Sequence, residues 1–268
     1  METKHISYRG TDVFYKVAGN GLPVVLIHGF AEDGNVWHYQ IDYLKQYFRV
    51  LVSDIPGSGL SPFNKNLSSV EDYAEAIKSI LDNEKIETCI LTGHSLGGYI
   101  ALAFAERYPQ LLKAFGLFHS TAFADSEEKK QTRLKSIEFI KTNGAYLFIK
   151  TSAPNLFTND YKINHPKKLE SLIEKGKNFT SEALIQYYHA MIARPDRTAV
   201  LKSFIKPVLF IIGEQDNAVP LQSSLQQYHL PSQSHIYILK NSAHMGMWEE
   251  TEKSNEILLN FLNLFCSL

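Results

Sequence analysis

Cysteine is nearly missing from this 268-residue chain; Cys89 and Cys266 are the only two. Two cysteines make no disulfide framework, and Cys89 lies inside an apolar run that reads as a buried strand, so a reducing compartment fits. Long apolar runs are missing as well. The longest, such as Val208 to Ile212, fall far short of the roughly 20 residues a membrane-crossing helix needs. The opening residues Met1 to His5 lead into strand-like sequence without an apolar signal core. The expectation is a cytoplasmic protein with no membrane partner. An excess of either charge is also absent: 27 Lys and Arg face 28 Asp and Glu, for a net charge of −1. That excludes the basic face of a nucleic-acid binder. The pairs Lys129-Lys130 and Lys167-Lys168 read as solvated helix faces. Gly57-x-Gly59 lacks the third glycine and the lysine of a phosphate cradle. No set of His, Cys, Asp and Glu has metal-ligand spacing, so neither metal nor cofactor is expected.

What is present is alternation. His5 to Arg9 and Asp12 to Val17 read as a hairpin about Gly10-Thr11. Pro23 to Ile27, Phe48 to Ser53, Glu87 to Thr92 and Leu112 to Phe118 are short apolar runs suited to strands buried on both faces. Between them the pattern predicts helices over 35–47, over 70–83 behind a capping box at Ser68-Ser69-Val70-Glu71, and over 96–108, stopped by Pro109. Such alternation predicts an α/β fold with a parallel sheet and helices on both faces. From Ala122 to Arg194 no strand is legible. Four helical stretches are: 126–141, 146–151, 166–175 and 181–192. Strands resume at Val208 to Ile212 and His235 to Leu239, and a last helix spans 250–265. The organisation expected is a core of residues 1–120 and 195–268 with a helical insertion of residues 121–194.

The sharpest motif is Gly93-His94-Ser95-Leu96-Gly97-Gly98, a G-x-S-x-G match between a strand and a helix. A serine at the apex of so tight a turn needs neighbours without side chains, and the helix start beneath it favours negative charge. A serine hydroxyl attacks only when a base takes its proton, and a histidine held by a carboxylate is the usual base. His244 follows the last strand, at the sheet end where sites form. The carboxylate follows the preceding strand in Gly213-Glu214-Gln215-Asp216. Asp216 or Glu214 could serve, and the run on to Val219-Pro220 favours Asp216. The oxyanion of an acyl transfer needs two donors. The backbone N–H groups of Leu96 and of Phe30, in His28-Gly29-Phe30, are the candidates, with His28 expected to brace its own loop.

These pieces, together with Asp54 to Ser61, resemble the α/β-hydrolase superfamily in content and order, over nearly all of the chain except the middle insertion. The resemblance implies an eight-stranded, mostly parallel sheet and a helical cap over the site. It carries the triad onto Ser95, Asp216 and His244, and the oxyanion donors onto Phe30 and Leu96. A serine at position 95 argues against the branch with an aspartate nucleophile. Carboxylesterases, lactonases, thioesterases, carbon–carbon bond hydrolases and perhydrolases all remain compatible, as does a low-turnover binding protein on the same fold. The apolar, aromatic insertion (Phe123, Phe139, Tyr146, Phe148, Phe157, Tyr187, Tyr188, Met191) suits a small or medium, mainly apolar ester. The expected partner is thus a small-molecule substrate.

Overall fold

The computed structural model describes residues 1–266. Eight strands form one sheet: β1 (Glu2–Tyr8), β2 (Thr11–Ala18), β3 (Pro23–Ile27), β4 (Arg49–Ser53), β5 (Cys89–His94), β6 (Leu112–Phe118), β7 (Val208–Gly213) and β8 (Ser234–Leu239). Their order across the sheet is β1-β2-β4-β3-β5-β6-β7-β8. The β1/β2 and β2/β4 pairs are antiparallel, and all other neighbours are parallel. This is the mostly parallel α/β sheet the apolar runs predict. Their continuity has a direct cause. Successive residues enter opposite cores: Val25, Ile27 and Leu91 pack on one face, and Val24, Leu26 and Ile90 on the other. A strand covered on both faces has no polar side to alternate with.

The helices of the two layers are α1 (His38–Leu44), α2 (Val70–Asn83) and α3 (Leu96–Arg107) in the first half of the chain. Between β6 and β7 come α4 (Glu127–Asn143), α5 (Ala145–Ser152), α6 (Asn159–Asn164), α7 (Pro166–Lys175), α8 (Ser181–Ala193) and α9 (Thr198–Ser203), with no strand among them. Then follow α10 (Leu221–Leu225), α11 (Gly246–Glu249) and α12 (Thr251–Asn263). The cores divide these helices: α2 and α3 cover one face of the sheet, and α1 and α12 the other. No helix is long and apolar enough to cross a membrane among the described residues.

Local chemistry moves several boundaries. The hairpin turns at Arg9-Gly10 rather than Gly10-Thr11. Tyr8 pairs with Thr11, and Arg9 and Gly10 both take positive φ, 46° and 79°, as a two-residue turn of this twist requires. The capping box is one residue later than the sequence pattern suggests. The Ser69 hydroxyl accepts from the Asp72 N–H, and the Asp72 carboxylate accepts from the Ser69 N–H. Aspartate fills the place where Glu71 was expected, because the shorter side chain still reaches back. The helix expected over 35–47 is a 3-10 turn, Gly34–Trp37, followed by the short α1. The helix expected over 146–151 runs longer: α5 reaches Ser152 and a 3-10 turn continues through Leu156. Strand β5 extends through Gly93 and His94, which pair with Leu117 and Phe118.

Candidate active site

The sheet delivers every candidate residue to one edge. Phe30 follows β3, Ser95 follows β5, Asp216 follows β7 and His244 follows β8, all at the carboxyl ends of parallel strands. The chain leaves β3 toward β4 on one side and reaches β5 on the other, so the site lies where the strand order reverses.

Ser95 sits at φ 50°, ψ −113°, a conformation that costs a non-glycine residue about 1–3 kcal/mol. The surroundings hold it there. Its N–H donates to the Phe118 carbonyl at 3.0 Å, and its own carbonyl accepts from the Ser120 hydroxyl at 2.7 Å. A Cβ on Gly93 would overlap the Gly97 carbonyl, and one on Gly97 would overlap the Ile27 carbonyl. The glycines of the motif therefore answer to close backbone approach. The Ser95 hydroxyl makes no hydrogen bond among the described residues, and it shares a cavity of about 560 Å³ with His244. The Phe30 and Leu96 N–H groups likewise have no acceptor among the described residues.

His244 and Asp216 meet. The His244 Nδ1 lies 2.7 Å from Asp216 Oδ2. The other carboxylate oxygen, Oδ1, accepts from the N–H groups of Ala218 and Val219 at 2.8 and 2.9 Å. Burial alone would raise the Asp216 pKa; the contact with His244, with His119 beside it, outweighs burial and holds the carboxyl well below its usual range. Glu214, the alternative acid, is exposed. His28 donates from Nδ1 to the Gly29 carbonyl at 2.8 Å and accepts at Nε2 from the Ile55 N–H at 3.1 Å, which ties two loops together as a brace would. Asp54 plays a similar part, accepting from the N–H groups of Gly34 and Leu60.

Sequence reasoning missed a second pair behind the serine. His94 Nδ1 lies 2.9 Å from Glu32 Oε2, and His94 Nε2 lies 2.9 Å from the His244 carbonyl. Both neighbours are acceptors, so both ring nitrogens carry protons and His94 is an imidazolium. Burial would lower its pKa, but the Glu32 carboxylate outweighs burial and raises it. Glu32, which also accepts from the Gly29 N–H at 2.7 Å, is lowered against burial by His94. The signal was a histidine inside the serine motif and a glutamate two residues beyond Phe30; neither position is fixed by the motif that drew attention to it.

His119 was also missed. Its Nδ1 lies 3.0 Å from the Gly213 nitrogen and 3.4 Å from Asp216 Oδ2, and its Nε2 lies 3.1 Å from the Gly246 nitrogen; the neutral ring accepts at one of the two nitrogens only. His119, Asp216 and His244 offer three ligand atoms within 4.8 Å of one another, a cluster their sequence separation hides. A cation there would face the two N–H dipoles aimed at the His119 ring, so the donor set fits hydrogen bonding better than metal ligation. Burial pushes His119 down to about 4 from an ordinary 6.5, against a smaller pull from Asp216. The unfolded chain thus takes up this proton near pH 6.5 and the folded chain only near pH 4. The stability this neutral ring contributes is present above pH 6.5 and lost as the pH falls through 4, to the extent of about 3 kcal/mol. Urea unfolding between pH 4 and 7 should show wild type losing that much more than His119→Gln; equal losses would mean that His119 is charged in the fold.

Of the insertion aromatics, Tyr188 and Met191 line the main cavity, and Phe148 joins Tyr188 and Phe30 around an adjoining apolar lobe of about 120 Å³. Tyr187 and Phe157 are core, whereas Phe139 is exposed and Tyr146 bonds Glu174 at the surface. Lys129 departs from the solvated face expected of it. It lines the main cavity, and its ammonium donates to the Ala218 carbonyl at 2.7 Å.

The comparisons agree with this architecture. The family described as alpha/beta hydrolase fold matches residues 23–153. A thermophilic esterase from Thermogutta terrifontis superposes with a TM-score of 0.92 at 26% identity, covering 98% of each chain. The enol-lactonase from Burkholderia xenovorans superposes with a TM-score of 0.89 at 23% identity, over 97% of this chain and 100% of its own. The 2-hydroxy-6-oxononadienedioate/2-hydroxy-6-oxononatrienedioate hydrolase from a Pseudomonas species is 26% identical, over 91% of this chain and 89% of its own. Sheet order, motif order and these likenesses together show that the chain has the α/β-hydrolase fold.

Proposed function

We propose that the protein is a serine hydrolase that cleaves small or medium carboxylic esters through an acyl-enzyme. The observation that carries this reading is the 2.7 Å His244–Asp216 contact in the cavity that also holds the Ser95 hydroxyl. His244 Nε2 takes the Ser95 proton as Oγ attacks the ester carbonyl. The Phe30 and Leu96 N–H groups receive the oxyanion. Asp216 keeps the His244 proton on Nδ1 and stabilises the cation. The alcohol leaves with the proton from His244, and water, deprotonated by the same ring, releases the acid. The helices of residues 121–194 serve as the cap. The lobe between Phe30, Phe148 and Tyr188 receives the apolar end of the substrate. At about 120 Å³ it favours short chains.

The test is hydrolysis of p-nitrophenyl esters of graded acyl length. Turnover is expected with an optimum at short to medium acyl groups. Absence of turnover across the series sinks the esterase reading. The Pseudomonas relative supports a second reading, hydrolysis of a carbon–carbon bond next to a carbonyl. Product analysis on β-diketones separates the two.

A further inference from the structure

One wall of the main cavity, where Arg133 lies 5.7 Å over the Tyr188 ring, carries more positive charge than its own carboxylates absorb. Arg133 gives Nε and one Nη to Asp125, at 2.6 and 3.3 Å, and Arg194 gives an Nη to the same carboxylate at 2.9 Å. One carboxylate thus lies between two guanidiniums. Lys129, one turn of α4 before Arg133, has no carboxylate within ion-pair distance among the described residues and holds only the Ala218 carbonyl. Of the other acids along the cavity, Glu32 is matched by His94, and Glu128 is exposed at the rim. With Glu128 counted, Arg133, Arg194 and Lys129 leave one positive charge over on this wall; the Asp216 carboxylate is engaged by His244 and lies outside the cavity lining.

Donors are left over too. The second Nη of Arg133 has no partner among the described residues, and the Lys129 ammonium has spent one of its three hydrogens. The Tyr99 hydroxyl, one turn of α3 beyond Ser95, makes no hydrogen bond among the described residues and lines the same cavity. Arg194 stacks on the Tyr99 ring at 3.7 Å. Burial would raise the Tyr99 pKa, yet Arg194, Arg133 and Lys129 together lower it, which reports the positive field of this wall.

We propose that Arg133, Lys129 and Tyr99 form an anion subsite that selects substrates whose acyl chain ends on a carboxylate. This deepens the serine-hydrolase reading and rests on it. A monoanion is the charge that balances the wall; a phosphate dianion would exceed it. The carboxylate accepts from the free edge of Arg133, from Lys129 and from the Tyr99 hydroxyl, and no bond of the substrate is changed there. Charge-assisted hydrogen bonds of this kind are worth roughly ten- to hundredfold in binding.

The experiment compares two six-carbon acyl esters, 4-nitrophenyl hexanoate and mono-4-nitrophenyl adipate, which differ in ending on a methyl or a carboxylate. Wild type should favour the adipate by about tenfold in kcat/KM, and the preference should shrink in 0.5 M NaCl as screening grows. In Arg133→Met and in Lys129→Met the adipate-to-hexanoate ratio should fall by about tenfold. A purely structural loss would lower both esters together and leave the ratio in place. Lys129→Met removes a single bond to a carbonyl, so it carries the test if Arg133→Met does not fold. A wild-type preference for hexanoate, or a ratio unmoved in the folded variants, overturns the subsite. If wild type cleaves neither ester, the hydrolase reading has failed on its own. The subsite is then read by binding: monoethyl adipate should raise the Tm of wild type but not of Lys129→Met, ethyl 6-hydroxyhexanoate should raise neither, and no shift with monoethyl adipate overturns it.

Discussion

Ser95→Ala should lower ester turnover by on the order of a millionfold, the scale that loss of the nucleophile has in the subtilisin series. The fold should not notice. The serine hydroxyl makes no hydrogen bond among the described residues, and the strained backbone at φ 50° is carried by the Phe118 and Ser120 contacts, which involve only main-chain atoms of residue 95. Alanine keeps the Cβ and both contacts. The urea midpoint of the variant should therefore match wild type within about 0.5 kcal/mol of stability, the range of substitutions that break no contact. Kinetics and unfolding must be measured on the same preparation. Turnover within tenfold of wild type would remove Ser95 from the mechanism; a large loss of stability would show that the hydroxyl has a structural partner.

Asp216→Asn should lower kcat by about ten-thousandfold, the scale of the corresponding change in a serine protease triad. The reason lies in donors and acceptors. The carboxylate accepts on both oxygens, from Ala218 and Val219 on one and from His244 on the other. An asparagine has one acceptor oxygen, and the two backbone N–H groups claim it, since turning the amide around would set its NH2 against both. The NH2 then faces His244 Nδ1, which must become an acceptor. The ring proton moves to Nε2, the nitrogen meant to receive the Ser95 proton, and the base is lost without any displacement of atoms. Removal of a charge-assisted bond should also cost about 1.5–3 kcal/mol of stability. Activity at a tenth of wild type or more would mean that Asp216 does not set the tautomer of His244.

The legibility of these features followed how local their causes are. Strands β3 to β7 announced themselves because burial on both faces leaves unbroken apolar runs. The serine motif was legible because steric crowding at one turn dictates glycine at fixed offsets. Asp216 and His244 could be named because strand ends deliver residues to one edge of a parallel sheet. Other features depend on distant partners. His94 and Glu32 are 62 residues apart, and nothing near either in sequence announces the other. His119 reads as an ordinary strand-end histidine until the Gly213 and Gly246 N–H groups arrive from β7 and α11. Lys129 looked like half of a solvated pair because the Ala218 carbonyl that receives it is 89 residues away. The short helices α6, α9, α10 and α11 escaped for another reason: too few turns accumulate for a periodic pattern to emerge.

The bond from His94 to the His244 carbonyl bears on how the protein responds to heat. His94 and Ser95 are consecutive, so the segment that carries the serine also grips the loop that carries the histidine. Should β5 slide or tilt as the sheet softens, the Ser95 and His244 side chains travel with it as passengers on one carriage. Their separation is then a short local length, spanned by one peptide unit and one hydrogen bond, and is insulated from the slow breathing of a chain of 268 residues. Detuning of the pair needs the Glu32–His94 contact itself to let go, and that contact is among the most deeply buried in the molecule.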